Sequence, residues 1–223
     1  MERALVIGAS GGIGTALCAA LADRLGPGAV TALSRRDDGL DLTDEASIAQ
    51  ALGALSGPFD LILVATGMLD GAGQPPEKTL KVLAPEALAH QFAVNAVGPL
   101  LVLKHAVRLM PRERRAVFAA LSARVGSIGD NRLGGWYSYR MAKAALNQGL
   151  HTAAIELARS HPHAVCVALH PGTVATRFTA EYAGRHRTVA PAEAASNLLA
   201  VIDGLGPEQT GGFFDWSGQR VPW

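Results

Sequence analysis

Near its start the chain has an unbroken apolar run, residues 4–7 (Ala-Leu-Val-Ile), closed by Gly8. Runs of similar character recur at 29–33, 60–65, 116–122, 163–170 and 212–216. They are short, show no polar alternation and end at Gly, Pro, Ser or Thr, so they read as strands buried on both faces. Between them the apolar positions switch to helical spacing. Leu17, Leu21 and Leu25 define a helix over 14–25, stopped by Gly26-Pro27-Gly28. A polar loop follows the second strand, and Thr43 or Asp44 then caps a helix reaching Leu55. Segments 85–110, 139–160 and 191–205 complete the helical set, and Pro99 predicts a bend inside the first of them. Strands alternating with helices predict a parallel sheet covered on both faces. No repeat or linker divides the sequence, so residues 1–223 are expected to form a single α/β domain, doubly wound.

Composition sharpens this only a little. Hydrophobic residues are 49% of 223, enough for a large core and too many for a disordered chain. Aromatics are 5%, so Ala, Leu, Val and Gly must build that core. Twenty basic and 19 acidic residues leave a net charge of +1, which offers no field for nucleic acid or an anionic membrane. The Arg112, Arg114, Arg115 cluster reads as a solvated helix end or loop. Cys18 and Cys166 read as buried thiols. The seven histidines show no metal-ligand spacing. The first apolar run breaks after four residues, unlike a signal peptide, and the uncharged stretch 92–103 is too short to cross a bilayer. A cytoplasmic setting is the expectation.

Three motifs carry candidate chemistry. Gly8-Ala9-Ser10-Gly11-Gly12-Ile13-Gly14 lies between the first strand and the first helix. Glycines there permit a tight turn and close approach of a pyrophosphate, which the helix N-terminus attracts. Gly8, Ser10, Gly12, Ile13 and Gly14 are therefore candidate dinucleotide contacts. Ser34-Arg35-Arg36 ends the second strand, where NAD-binding domains usually place an acid for the ribose 2′-hydroxyl. A hydroxyl and two guanidinium groups suit a 2′-phosphate instead, so NADP(H) is preferred over NAD(H). Tyr139-Arg140-Met141-Ala142-Lys143 puts a phenol and an ammonium on one helix face. A neighbouring ammonium favours phenolate and brings the phenol toward acid–base work.

Taken in this order, the motifs resemble those of the short-chain dehydrogenase/reductase (SDR) family, over essentially the whole chain and through Pro171-Gly172-Thr173-Val174-Ala175-Thr176. The resemblance implies a Rossmann-type fold. It implies cofactor contacts from Asp41, Leu42, Ala65, Thr66, Gly67, Asn95, Tyr139, Lys143, Pro171, Gly172, Val174 and Thr176. Ala65-Thr66-Gly67 keeps only the closing glycine of the family's Asn-Asn-Ala-Gly segment. Within the family, Gly126-Ser127-Ile128-Gly129-Asp130-Asn131, Gly134-Gly135-Trp136-Tyr137-Ser138-Tyr139-Arg140 and the final Pro222-Trp223 are similar to C-factor-like proteins and sniffer-type carbonyl reductases.

The same resemblance implies hydride transfer between nicotinamide and a small carbonyl or alcohol substrate. Tyr139 would be the general acid/base, Lys143 would hold the nicotinamide ribose and lower the Tyr139 pKa, and Asn95 would orient a relay water. The family's serine falls on Ala123 when the segment Ser122-Ala123-Arg124-Val125-Gly126 is aligned on Gly126. Ser122 is the candidate replacement, with Ser127 the other. The segment 176–191, where the family builds a substrate lid, holds Arg177, Arg185, His186 and Arg187. That suits an acidic substrate or an ordinary solvated loop. The apolar helices at 86–110 and 139–160 suit the family's paired-helix interface in a homodimer or homotetramer. Another functional class stays open: an NADP(H)-binding signalling or sensor protein with little turnover.

Overall fold

In the computed structural model, residues 1–70, 73–179 and 188–223 are described. Strands β1 (Ala4–Ile7), β3 (Leu61–Val64) and β4 (Ala116–Leu121) are buried at every position. With β2 (Val30–Leu33), β5 (Ala164–His170) and β6 (Phe213–Asp215) they form one parallel sheet in the order β2-β1-β3-β4-β5-β6. Side chains alternate across it. Leu5, Ile7, Ile62, Val64, Phe118 and Ala120 share one face, and Ala4, Val6, Leu61, Leu63, Val117 and Ala119 the other.

The second face is covered by α1 (Gly12–Leu25) and α7 (Pro191–Gly204), which contribute Leu17, Leu21, Leu198 and Ile202. The first is covered by α3 (Glu45–Gly53), α5 (Gly98–Ala106) and α6 (Tyr137–Leu157), through Ile48, Leu52, Val102, Leu103, Leu146 and Leu150. Each such fully buried side chain contributes roughly 1.5–3 kcal/mol before entropy is set against it. Asp44 caps α3 by accepting from the Ala46 N–H at 2.9 Å. The sheet is therefore doubly wound. Its order reverses at β1, which opens a crevice at the carboxyl ends of β1 and β3.

Two elements differ from their sequence readings. Residues after β2 form a short helix, α2 (Arg35–Asp38), capped by the Ser34 hydroxyl. The bend expected at Pro99 takes another form. Helix α4 (Pro85–Phe92) passes into a π-helical turn, Ala93–Val97, and then into α5. Pro99 has no N–H to return to the preceding turn, and one wider turn absorbs the loss. Gly98 is required there, because a Cβ would lie 2.7 Å from both the Leu42 side chain and its carbonyl oxygen. The composite helix over 85–109 is long and apolar enough to span a bilayer by composition, but its Ala96, Val102, Leu103 and Ala106 pack into the sheet's core. Cys166 is buried, and burial pushes its thiol up to about 12, while Cys18 is only half-buried.

Candidate active site

The first wall of the crevice is the turn leaving β1. Gly8 has φ +86°, and the Gly8 and Ala9 N–H groups both donate to the Leu33 carbonyl, at 2.8 and 3.1 Å. A Cβ on Gly14 would come within 2.1 Å of the Gly8 oxygen, and one on Gly12 within 2.6 Å of Thr176 Cγ2. Neither position has room for a larger residue. Helix α1 begins with Gly11 at its N-cap, no side-chain cap and no acid in its first turn. Its free N–H groups and positive dipole end therefore remain available to an anion. Beside the turn, Thr66 keeps a buried hydroxyl without a hydrogen-bond partner among the described residues, its Cγ2 2.8 Å from where a Gly8 Cβ would stand. An orphaned buried donor next to a glycine cradle fits a phosphate-bearing dinucleotide. Ser10 and Ile13 are half-buried on the same turn.

The second wall follows β2. Ser34, Arg35 and Arg36 were expected to act together, and the structure separates them. Arg36 pairs with Asp37 at 2.9 Å, and the Ser34 hydroxyl donates to Asp37 at 2.9 Å. The Ser34 N–H donates to Asp38 at 2.7 Å. Two acids thus lie close by, but both are turned back onto the cap, and Arg36 holds the Asp37 carboxyl below its usual range. Arg35 is exposed, its carbonyl accepts the Gly39 N–H at 3.1 Å, and its guanidinium makes no hydrogen bond or ion pair with the described residues. Asp41 accepts the Thr43 N–H and hydroxyl at 2.8 and 2.7 Å, bonds that lower its pKa, and Leu42 is buried against Gly98.

Three of the catalytic candidates converge from two elements, α6 and the π turn. Tyr139 and Lys143 lie one turn apart on α6, both buried. Lys143 Nζ donates to the Leu121 carbonyl at 2.8 Å and sits 5.8 Å from the centre of the Tyr139 ring. Asn95, in the π turn, is fully buried. Its Nδ2 donates to the Met68 carbonyl at 2.7 Å and to Gln91 Oε1 at 2.5 Å, and its Oδ1 accepts from the Met68 N–H at 3.0 Å. It pins the loop after β3 to the helix. Gly67 marks the meeting point: a Cβ there would lie 3.4 Å from Asn95 Oδ1, 3.7 Å from Phe178 and 3.8 Å from Lys143 Nζ. Ala65 extends β3 by one more ladder bond, to the Ile7 carbonyl at 2.7 Å.

Two expectations need correction. Ser122 does not face Tyr139. Its hydroxyl donates to Asn147 Oδ1 at 2.6 Å, while Ala123 packs beside Tyr139 and Leu69. Neighbours on extended backbone point to opposite sides, so the early serine cannot fill the later position. Ser127 is committed as well, donating to the Pro222 carbonyl at 2.5 Å. The Tyr139 pKa also moves the other way. Burial in an apolar setting raises the phenol well above its usual value, and the same burial lowers Lys143 to about 7. Desolvation disfavours either charged form, and it outweighs the attraction expected between them.

Trp136 meets the Tyr139 ring edge-on at 6.2 Å, and the Phe178 ring lies tilted to it at 6.1 Å. With Leu69 and Val125 they make an apolar wall around the phenol. At the end of β5, Gly172 has φ +79°, where a Cβ would meet Trp216 at 3.1 Å. Pro171 and Gly172 are half-buried, and Val174 is buried and bridges Val189. Thr176 closes over Gly12, bringing the first and last motifs together. Arg177 is exposed, and Arg185, His186 and Arg187 lie outside the described residues. Sequence reasoning missed Gln91, Asn147 and Glu77. Only Gln91 carried a signal, one helical turn before Asn95.

Comparison with known proteins agrees with this geometry. A family model described as enoyl-(acyl carrier protein) reductase matches residues 16–203. The 1-hydroxy-2-glutathionyl-2-methyl-3-butene dehydrogenase of Rhodococcus sp. (strain AD45) is 33% identical, covering 100% of both chains. The C-signal protein of Myxococcus xanthus is 39% identical over 140 residues, 61% of this chain and 78% of that one. The fold is shared with the carbonyl reductase Sniffer of D. melanogaster (TM-score 0.81, 20% identity, 100% of both chains). It is shared too with an NADPH-bound carbonyl reductase from chicken fatty liver (TM-score 0.82, 22% identity, 100% of this chain and 99% of that one). The family-model match over residues 16–203, which includes the Tyr139–Lys143 helix, and the full-length likeness to the Rhodococcus dehydrogenase place the chain in the short-chain dehydrogenase/reductase family of oxidoreductases.

Proposed function

We propose that the protein is an NADP(H)-dependent reductase of small carbonyl compounds, reversible toward the alcohol. The observation that carries this reading is the convergence of Tyr139, Lys143 and Asn95 inside an apolar wall at the mouth of the glycine cradle. The turn from Gly8 to Gly14 would hold the phosphates, Arg35 the 2′-phosphate, and Lys143 and Thr66 the ribose nearest the substrate. NADPH bound there supplies the hydride. Tyr139, kept protonated by burial, gives its hydroxyl proton to the substrate oxygen as that oxygen gains charge. Lys143, donating to the Leu121 carbonyl, holds the next turn of α6 against β4 and stands ready to return a proton. The apolar wall keeps water from the reacting carbon and favours apolar or aromatic carbonyl compounds. The Rhodococcus relative, a dehydrogenase of a hydroxyl-bearing compound, supports redox chemistry at such a carbon.

A second reading is an NADP(H)-binding signalling protein with little turnover. It is favoured by Ala123, which leaves the substrate oxygen without the family's serine donor, a loss of about 10²-fold. The likeness to C-signal points the same way.

The deciding experiment follows NADPH oxidation across aldehydes, ketones, diones and quinones, with Tyr139→Phe alongside. Turnover that disappears in Tyr139→Phe while NADPH affinity persists supports the reductase. Tight NADPH binding with no Tyr139-dependent turnover rejects it in favour of the sensor.

A further inference from the structure

Helix α6 carries Tyr139 in its first turn, yet it has no cap of its own. Its N-cap residue is Trp136, which makes no side-chain cap bond, and the first turn holds no acid. The N–H groups of a buried helix start must find acceptors elsewhere. They find them on Glu77, from the loop between β3 and α4. The Glu77 carbonyl accepts the Trp136 N–H at 2.5 Å. Its carboxylate Oε2 accepts the Ser138 hydroxyl at 2.9 Å and the Ser138 N–H at 3.2 Å. Both Glu77 and Ser138 are buried, at 5% and 2% exposure. A carboxylate is also the group that a helix N-terminus attracts.

The approach to this helix is strained. Gly134, Gly135 and Trp136 take positive φ in succession, at 64°, 67° and 53°. A side chain as large as tryptophan adopts that conformation only where its surroundings impose it. Arg140 grips the turn from its carbonyl side, donating to Gly135 at 2.8 Å, Gly134 at 3.1 Å and Val125 at 3.1 Å. Glu77 grips the N–H groups that follow. The held turn sets the Trp136 ring against Tyr139.

We propose that Glu77 is a positioning residue: by holding Trp136 and Ser138 it fixes where the Tyr139 hydroxyl meets the substrate oxygen. This rests on the reductase reading above. Glu77 touches no reacting atom, so its effect must pass through the first turn of α6. A displacement of even an ångström there is costly to catalysis.

The test compares Glu77→Ala, Glu77→Gln and Tyr139→Phe with the wild type, using the panel carbonyl with the highest wild-type turnover. The kcat is counted per titrated NADPH-binding site, so unfolded protein does not enter it. The expected result is a fall in kcat and kcat/KM together, by at least about fivefold in Glu77→Ala, with NADPH affinity held. Glu77→Gln, which keeps an acceptor oxygen for Ser138, recovers most of the loss. A kcat per site within about fivefold of wild type overturns the proposal, even if the melting temperature drops, because that is what a purely structural cap would do. If Glu77→Ala does not fold, Glu77→Asp decides by the same criteria, since it keeps the charge and draws it back by one methylene. Loss of turnover in Tyr139→Phe but not in the Glu77 variants removes Glu77 alone. Wild-type turnover indifferent to Tyr139→Phe removes the parent reading and this one with it.

Discussion

Ala123 packs its methyl group beside Tyr139, where, on the proposed reductase reading, a hydroxyl would steady a developing alkoxide. The neighbouring Ser122 is turned away and bonded to Asn147. If the missing donor limits the rate, Ala123→Ser should raise kcat by up to about 10²-fold. NADPH affinity should be unchanged, because no cofactor contact is altered. Steady-state kinetics on one carbonyl substrate measures this, and a kcat that does not rise shows that the site draws no benefit from a donor there. The Ala123 departure was legible only through the family resemblance, since aligning the family's serine segment on Gly126 puts alanine at that position. The direction of the Tyr139 pKa was not legible. A Tyr–Lys pair in a sequence displays its two charges but hides its desolvation, and desolvation decides here. Glu77 was equally hidden, because its partner Ser138 is 61 residues away.

Among the elements, the four-residue helix α2 matters most for cofactor choice. Its cap consumes Ser34, Asp37 and Asp38, and Asp37 offsets Arg36. On the proposed NADP(H) reading, Arg35 is left as the guanidinium for a 2′-phosphate. Arg35→Asp should therefore cut the preference for NADPH over NADH by about tenfold or more, the worth of one charge-assisted hydrogen bond. Fluorescence titration of both nucleotides reads it, and an unchanged ratio removes Arg35 from the role. A helix this short has no periodicity to find, which is why the sequence read as a loop. The helix at 85–110 had ample periodicity, and only the π-helical form of its interior turn was not legible. Proline marks where a backbone bond is lost, but the packing of Gly98 on Leu42 and the hold of Asn95 on Met68 decide how the loss is taken up.

At the scale of the whole molecule, parallel pairing and both covered faces followed from apolar runs alternating with helices, because burial on two faces leaves a strong pattern, whereas the strand order came from the structure alone. What stayed invisible were polar groups buried at the sheet's end. His170 Nδ1 is buried without a hydrogen-bond partner among the described residues, and burial, with Arg124 nearby, lowers its pKa to about 4 from 6.5. His161 is lowered too, chiefly by burial. A histidine depressed by folding contributes stability that is complete above its unfolded pKa and is lost as pH falls toward its folded one. Stability should thus decline between pH 6.5 and about 4, by roughly 1–3 kcal/mol for His170, before the lowered carboxylates Asp60 and Asp215 add their own losses at more acid pH. Urea unfolding at steps through this window should show the decline in the wild type and a shallower one in His170→Gln. Equal slopes would mean that His170 does not control it.

The strand order also bears on how the chain is made. β2 pairs with β1, β3 with β1, β4 with β3, β5 with β4 and β6 with β5, so each strand leaving the ribosome finds its partner already synthesised. The sheet can grow outward during translation without waiting on a later strand. Helix α1 has no such advantage. Its packing partner α7 and the threonine that closes over Gly12 come from the last quarter of the sequence. The nascent protein therefore builds its sheet as far as β5 while the glycine turn stays open, and the first motif to be translated is among the last to be finished.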